Sequence, residues 1–352
     1  MKKILIGSIL LIIVALGAAE LRPYRLINAD LGTASEIAGE RVVELDGNVH
    51  FFYGETEFFS DRAKLFESSK RTVLEGNVLV LEDTLSLKAN RVEYFRIEEM
   101  LQLRGDVFAK ETHYDNTYSS FAADSVDYFR NDSILDAWSN VKVYDQREKA
   151  NGICGKLHYE LNNGYGYLLQ RPSITVNDSL KISAEKIEYH QEFSKITANF
   201  DVVTESPDFT ITSDFLLYFN LEQKAIFLGD PKFDSDFADA KAVEMHLYFE
   251  NEELSKAELS EDCLVNFAIK EGEERSNWIK AKEMIFDFLD GEITFCEATG
   301  SVTSFYNQEK SKRRDYLVNK ASAQKLKITF LDHEVDEIFL ENDIDGVYKF
   351  IK

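Results

Sequence analysis

The residues able to carry out chemistry are scattered along this 352-residue sequence and form no catalytic or metal-binding motif. The six histidines lack His-Glu-x-x-His or similar ligand spacing, and no nucleophile elbow, phosphate loop or Gly-x-Gly-x-x-Gly occurs. Asp and Glu are so frequent that pairs of carboxylates arise by chance. We therefore predict a protein without enzyme activity, metal ion or cofactor. A carbohydrate-acting solenoid enzyme, with carboxylates clustered on one exposed face, stays open as an alternative.

The three cysteines, Cys154, Cys263 and Cys296, are too few for a disulfide scaffold and lack Cys-x-x-Cys spacing. Cys263 and Cys296 lie 33 positions apart, which is about one period of the repeat described below. Two interpretations are open for this pair. The two could oppose each other as a disulfide in an oxidising compartment, or they could be thiols in the core.

The charge balance excludes one class of partner. Acidic residues outnumber basic ones by 63 to 40, which gives a formal net charge of −23. Because nucleic-acid binding depends on Lys and Arg, we expect no nucleic-acid partner. The one local reversal of sign is the run 310–314, Lys-Ser-Lys-Arg-Arg. It predicts either a solvated loop insertion or a contact with phosphates or an acidic partner.

Residues 1–19 are typical of an export signal. Lys2 and Lys3 precede an apolar run from Ile4 to Leu16, and Gly17-Ala18-Ala19 provides small residues for cleavage. The run is shorter than the roughly 17–25 residues that a membrane-spanning helix needs. We predict a periplasmic protein exported by a Sec signal peptide, with an uncleaved inner-membrane anchor as the alternative.

An internal repeat organises the rest of the sequence. Leu-x-Gly-Asn/Asp-Val occurs with glycines at 47, 76 and 105, and weaker copies follow. A second landmark is a small residue with apolar residues three and five positions later. Its small residues are spaced by 29, 34, 31, 30, 29, 29, 39 and 42 positions. They are Ser60, Ala89, Ala123, Cys154, Ala184, Ser213, Ala242, Ala281 and Ala323.

The residue pattern of each repeat predicts β-strands. Apolar positions alternate before the small residue, as in 180–184 and 209–213, so one face of each strand is buried. The step of three after the small residue reverses this alternation, which an extra residue at a bulge or corner would accomplish. We therefore predict an all-β fold: an elongated, solenoid-like repeat of about nine units of 29–42 residues, forming one continuous domain over 20–352. The longer spacings predict loop insertions around 263–322.

The repeated motifs resemble the organic-solvent-tolerance protein A (OstA) family of lipopolysaccharide export. The resemblance lies in Gly47-Asn48-Val49, Gly76-Asn77-Val78 and Gly105-Asp106-Val107, together with Asp61-Arg62-Ala63 and 89–92. It is clear over about residues 27–130 and weaker toward the C-terminus. It implies a V-shaped β-jelly roll, likened to a folded taco, whose apolar interior carries acyl chains. It also implies a role in outer-membrane biogenesis, with other OstA-like jelly rolls docked end to end.

The leading hypothesis is therefore non-enzymatic transport or bridging of a lipid, in particular lipopolysaccharide or a similar lipid, through an apolar β-groove. A structural or adhesive β-solenoid with a filled core and no lipid is the main alternative. The apolar columns after the small residues are the predicted groove lining. They comprise Ala63, Leu65, Val92, Tyr94, Val126, Tyr128, Leu157, Tyr159, Ile187, Tyr189, Leu216, Tyr218, Met245, Leu247, Met284 and Phe286.

Overall fold

The computed structural model describes residues 24–147, 149–176, 180–250, 253–268, 274–290, 292–307, 316–331 and 334–351. These residues form antiparallel strands joined by turns, which confirms the predicted all-β class. The signal-like segment 1–19 and the basic run 310–314 lie outside the described residues. Within them, no helix has the length and hydropathy needed to cross a membrane.

The strands divide between two compact units, residues 1–178 with 185–194 and residues 179–184 with 195–352. Unit 1 contains β1 (Tyr24–Asn28), β2 (Leu31–Ile37), β3 (Glu40–Tyr53), β4 (Thr56–Phe66), β5 (Arg71–Glu82), β6 (Leu85–Phe95), β7 (Met100–Thr112), β8 (Tyr118–Phe129), β9 (Ile134–Asp145), β10 (Ala150–Glu160), β11 (Tyr165–Leu169), β12 (Ser173–Val176) and β14 (Lys186–His190). Unit 2 contains β13 (Leu180–Ser183), β15 (Lys195–Glu205), β16 (Phe209–Phe219), β17 (Lys224–Leu228), β18 (Lys232–Ser235), β19 (Ala238–Lys241), β20 (Glu244–Glu250), β21 (Glu253–Phe267), β22 (Asn277–Leu289), β23 (Glu292–Asn307), β24 (Tyr316–Leu331), β25 (Glu334–Glu341) and β26 (Asp345–Ile351).

Each long strand bends once near its middle, at the landmark residues of the repeat. The pairing register shifts between Asp46 and Val49, between Glu75 and Val78, and equivalently along both units. An extra residue at such a bulge turns the strand and keeps its apolar side chains on one face. The predicted bulges are therefore confirmed. The small residues lie inside these bends and are all buried, from Ser60 to Ala323.

The Gly-Asn pair supplies the backbone that the bend requires. Gly76 and Asn77 have φ of +75° and +48°, in the left-handed region that Gly adopts freely and Asn tolerates. A Cβ on Gly76 would lie 2.9 Å from the Cβ of Asp61 on the neighbouring strand, so this position has no room for a side chain either. Conformation and space both select glycine.

Amide–carboxylate hydrogen bonds join neighbouring bends on the outer side of unit 1. The Asn77 amide donates to an Asp61 carboxylate oxygen at 2.9 Å, and the Asn90 amide donates to Asp106 at 3.0 Å. The same contact joins Asn48 to Asp30 and Asn140 to Asp124. These side chains are exposed, so each bond adds a modest stabilisation while fixing the position of one bend relative to the next.

The bends divide each unit into two limbs. Limb A contains the strand segments on the side of the bend that ends in hairpins such as the one at 53–56. Limb B contains the segments on the other side of the bend. In unit 1, limb A comprises 24–28, 49–60, 78–89, 107–123, 141–145, 150–154 and 173–176, and limb B comprises 31–46, 62–75, 91–104, 125–138, 156–169 and 186–190. In unit 2, limb A comprises 180–183, 202–213, 232–241, 263–267, 277–281, 302–307, 316–323 and 345–351, and limb B comprises 195–199, 215–228, 244–250, 253–260, 283–289, 292–299, 325–331 and 334–341. Each unit is thus a folded-over sheet, as the V-shaped jelly roll requires.

The longest repeats contain the longest strands. β21, β23 and β24 have 15, 16 and 16 residues, whereas most strands of unit 1 that pass through a bend have 11 to 13. Part of the extra spacing near the C-terminus therefore extends the limbs. Insertions were predicted around 263–322, and within that span residues 269–273, 291 and 308–315 lie outside the described residues.

Replacing Gly76 by Ala should destabilise the fold more than the same change at Gly39. Both glycines have positive φ, but a Cβ on Gly39 meets no atom within 4 Å, whereas one on Gly76 overlaps Asp61. We expect a loss of about 1 kcal/mol in the free energy of unfolding for Gly39→Ala from conformation alone. For Gly76→Ala we expect about 1–3 kcal/mol more, from overpacking. Urea unfolding followed by circular dichroism measures both, and equal losses would contradict the steric argument.

Candidate functional site

The interior between the limbs holds the predicted lining residues. Twelve of the sixteen are buried, including Val126, Ile187 and Met284, each at 0% exposure. Leu65, Tyr94, Tyr218 and Phe286 are partly exposed. All sixteen lie on limb B, because the positions three and five after the small residue follow the bend. Their role in binding a lipid stays a prediction.

Limb A supplies the opposite wall, which the sequence interpretation did not include. Phe58 lies two positions before Ser60, and Phe51 lies two positions after Val49, so the period-two alternation on limb A was the signal that could have identified them. In the second unit, Ile182, Thr204 and Phe209 occupy corresponding positions and face Leu216 and Tyr218 of limb B across a crevice of only about 10 Å³.

A cavity of about 220 Å³ separates the limbs at the end of unit 1 that contains β1. Two of the predicted residues, Val92 and Tyr94, line it. Eleven further residues, aromatic, aliphatic and polar, complete the wall, and none of them was predicted. They are Tyr24, Phe51, Tyr53, Glu55, Thr56, Phe58, Thr72, Leu74, Glu82, Leu101 and Arg130.

Tyr24 crosses from one limb to the other at this cavity. It belongs to β1 on limb A, where its ring packs against Tyr53 at a centroid distance of 4.9 Å. Its hydroxyl is hydrogen bonded at 2.7 Å to the hydroxyl of Thr72 on limb B. The guanidinium carbon of Arg96 lies 5.2 Å from the ring centroid. Burial raises the pKa of Tyr24, so the phenol stays neutral at physiological pH.

Charged groups at the cavity are distributed by limb. Arg130, at the hairpin end of limb B, donates to Glu99 at 3.1 Å, and the Tyr94 hydroxyl donates to the same carboxylate at 2.9 Å. Glu55 and Glu82 lie at the hairpin end of limb A, where Glu82 accepts a hydrogen bond from Thr56 at 3.0 Å. At the opening, limb B thus presents Arg130, which Glu99 neutralises, and limb A presents the carboxylates of Glu55 and Glu82.

Further along unit 1, the tyrosines five positions after each small residue fill the interior between the limbs. Tyr128, Tyr159 and Tyr189 are exposed by 1–2% and are among the largest fully buried side chains. Burial raises the pKa of each phenol, that of Tyr189 to about 12. The space between the limbs therefore narrows from a cavity near β1 to a packed core at these tyrosines.

The outer faces carry the charge. Opposite charges pair across adjacent strands, as between Lys64 and Glu44 at 2.6 Å and between Arg104 and Asp127 at 2.6 Å. Such pairs on a sheet face contribute little individually but keep the exterior solvated. Among the described residues, no three His, Cys, Asp or Glu side chains are grouped as metal ligands.

The three cysteines are free, buried thiols. Cys263 pairs with Ala281 on limb A, whereas Cys296 pairs with Phe286 and Ile328 on limb B. The two residues therefore lie on different limbs, and the disulfide interpretation is wrong. Burial raises the pKa of all three thiols to about 12.

Comparison with known proteins finds similarity over part of the chain. Residues 57–195 match the family model described as LptA/(LptD N-terminal domain) LPS transport protein. The crystal structure of LptH, the LptA homologous periplasmic component of the lipopolysaccharide transport device from Pseudomonas aeruginosa, is 14% identical to this chain. That match covers 44% of this chain and 94% of LptH, with a TM-score of 0.24. No match was found among curated proteins.

A thiol-specific reagent at pH 8 should label none of the cysteines in the native protein and all three after unfolding in urea. A disulfide between Cys263 and Cys296 would leave only Cys154 reactive.

Because folding raises the thiol pKa values from 9.0 to about 12, the free energy of unfolding should fall as the pH rises above about 9. For Cys296→Ala, urea titrations at increasing pH should give a slope smaller by up to 1.4 kcal/mol per pH unit, roughly.

Proposed function

We propose that this chain is a non-enzymatic periplasmic lipid carrier, and the match of residues 57–195 to the family model of LptA/(LptD N-terminal domain) LPS transport proteins supports this role. Its cargo is lipopolysaccharide or a similar lipid, held by its acyl chains between the two limbs. The observation that carries the proposal is the 220 Å³ cavity in unit 1, whose walls come from apolar side chains of both limbs.

Acyl burial explains how an acidic protein can hold an anionic lipid. Each buried methylene contributes about 0.8 kcal/mol, independent of the sign of the surface charge. The carboxylates that give the net charge of −23 lie mainly on outer faces and hairpins, while the inner faces are apolar. The lining columns on limb B would then contact the acyl chains, together with Phe51 and Phe58 on limb A.

The terminal strands support joining of such domains end to end. Among the described residues, β1 and β2 pair only with β3, and β25 and β26 pair only with β24, so each pair has one open edge. Apolar side chains are exposed there, including Leu31 at 61% and Val347 at 59%. An open edge with exposed apolar residues favours addition of a strand from another sheet. We assign these edges to strands of other OstA-like domains.

Export is part of the same proposal. Residues 1–19 would direct the chain to the periplasm, as a cleaved signal peptide or as an inner-membrane anchor, and residues 20–352 would act as one continuous repeat domain. Sequencing the N-terminus of the protein recovered from cells distinguishes cleavage from retention.

A filled β-solenoid without lipid cargo is the second candidate. It is favoured by the fully buried Tyr128, Tyr159 and Tyr189 and by the 10 Å³ crevice of unit 2. The two candidates differ in whether an acyl chain enters the cavity at Val92.

A photo-crosslinking residue at Val92 should capture lipid in vivo, because this side chain lies in the cavity wall. The matched control is Lys64, which lies on the outer face of limb B and is paired with Glu44. We expect lipid adducts at Val92 at least about tenfold above those at Lys64, measured by mass spectrometry of the purified protein. Equal yields at both positions, or none at Val92 when both variants fold, would favour the filled solenoid.

A photo-crosslinking residue at Phe339 on β25 should capture proteins that contain the same β-repeat. Phe193 is the control, because it is similarly exposed, 58% against 47%, but lies in a hairpin away from an open edge. Adducts identified by mass spectrometry should be enriched about tenfold at Phe339. Equal capture at both positions, or partners that lack the repeat, would remove the end-to-end proposal while leaving lipid binding intact.

A further inference from the structure

The cavity of unit 1 has a polar opening as well as an apolar interior. Val92, Leu74 and Leu101 form the deep wall on limb B, and Phe51 and Phe58 form the facing wall on limb A. A pocket with an apolar body and a few convergent polar groups is the usual form of a site for an amphiphile or small ligand. Its volume of about 220 Å³ exceeds the roughly 150 Å³ at which a dry apolar cavity in another protein binds benzene.

Arg96 lies beside the cavity, over the ring of the lining residue Tyr24, and has no acidic partner among the described residues. Its Nε donates to the carbonyl oxygen of Lys70 at 2.7 Å, and its guanidinium lies over the ring of Tyr24. It forms no ion pair with any carboxylate of the described residues. Arg130, two strands further along the same limb, is already neutralised by Glu99. Arg96 therefore has donors available for an anion held next to Tyr24.

The carboxylates on the facing limb fix the direction in which an anionic group can enter. Glu55 and Glu82 line the cavity from the hairpin end of limb A and would repel an anion there. An anionic head group is therefore directed toward limb B and Arg96, and its hydrocarbon chain toward the apolar wall.

Tyr24 is positioned as a strap across the opening. Its hydroxyl joins limb A to Thr72 on limb B, and the guanidinium of Arg96 lies over its ring. A ligand that enters from the mouth must displace this hydrogen bond, and it can then contact both Arg96 and the phenol ring.

We infer that the cavity binds one acyl chain of an anionic amphiphile, with its head group on Arg96 and Tyr24 as the strap. The inference rests on the proposed lipid-carrier function and adds to it the residue that selects the head group and the residue that closes the site. It also explains how a strongly acidic chain can favour an anionic lipid: one unpaired guanidinium beside the cavity provides a local exception to the net charge.

Binding of two soluble amphiphiles to the full chain tests this inference. Dodecyl phosphate and dodecyl maltoside have the same hydrocarbon tail and differ in head-group charge, and both are used below their micelle concentrations in isothermal titration calorimetry. We expect the phosphate to bind about tenfold more tightly, and Arg96→Gln to abolish that preference while leaving dodecyl maltoside binding unchanged. Arg62→Gln, at an exposed arginine on the outer face, should change neither affinity.

The outcomes separate this inference from the proposed function. Equal affinities in the natural protein, or a preference that survives Arg96→Gln, would overturn the head-group assignment and leave a lipid carrier. Absence of binding by either amphiphile would overturn both.

A second variant tests the strap. Tyr24→Phe retains the ring and removes the bond to Thr72, so we expect the association rate of dodecyl phosphate to rise about fivefold in stopped-flow measurements. Arg41→Gln is the surface control, because the Arg41 side chain is 69% exposed and paired with Glu67. An unchanged rate in Tyr24→Phe would show that Tyr24 does not close the opening.

Discussion

The structure depends on a constraint at the bend of each strand. A strand alternates its side chains between two faces, so a fold that doubles a sheet over must reset this alternation where the chain turns. The extra residue at each bulge performs the reset, and the left-handed conformation of Gly76 and Asn77 lets the backbone follow it. Inside the bend only a small side chain such as Ala89 fits. The two limbs, the shared apolar interior and the charged exterior all follow from this local geometry.

The interior that results is not uniform along unit 1. Near β1 the limbs enclose a cavity, whereas Tyr128, Tyr159 and Tyr189 fill the same column a few strands later. The repeat therefore provides an equivalent position in each layer, and the side chain at that position decides whether the layer can hold a ligand. Binding capacity in such a fold is set residue by residue, without any change in the backbone plan.

The sequence predicts this fold well because the repeat encodes it in residue types with clear physical meaning. Glycine followed by asparagine marks the left-handed bend, and a small residue followed by apolar residues at plus three and plus five marks the reversal of alternation. Limb A was predicted less fully, since Phe51 and Phe58 fall on a plain period-two pattern that does not stand out from other strands. The cavity residues Tyr24 and Arg130 carried no signal, because they become neighbours only when the limbs close over each other. The disulfide interpretation failed for a related reason: spacing of about one repeat says nothing about which limb a cysteine occupies.

The outer hydrogen bonds between successive bends, such as Asn77 with Asp61, also describe how stability is distributed. Each layer is held by its immediate neighbours, so the free energy of one layer depends on the two beside it and hardly on distant ones. A terminal layer such as β1 with β2 has a neighbour on one side only and is the first to open locally while the rest of its unit stays folded. Local fraying of this kind would give an incoming strand access to the backbone of β3 without global unfolding.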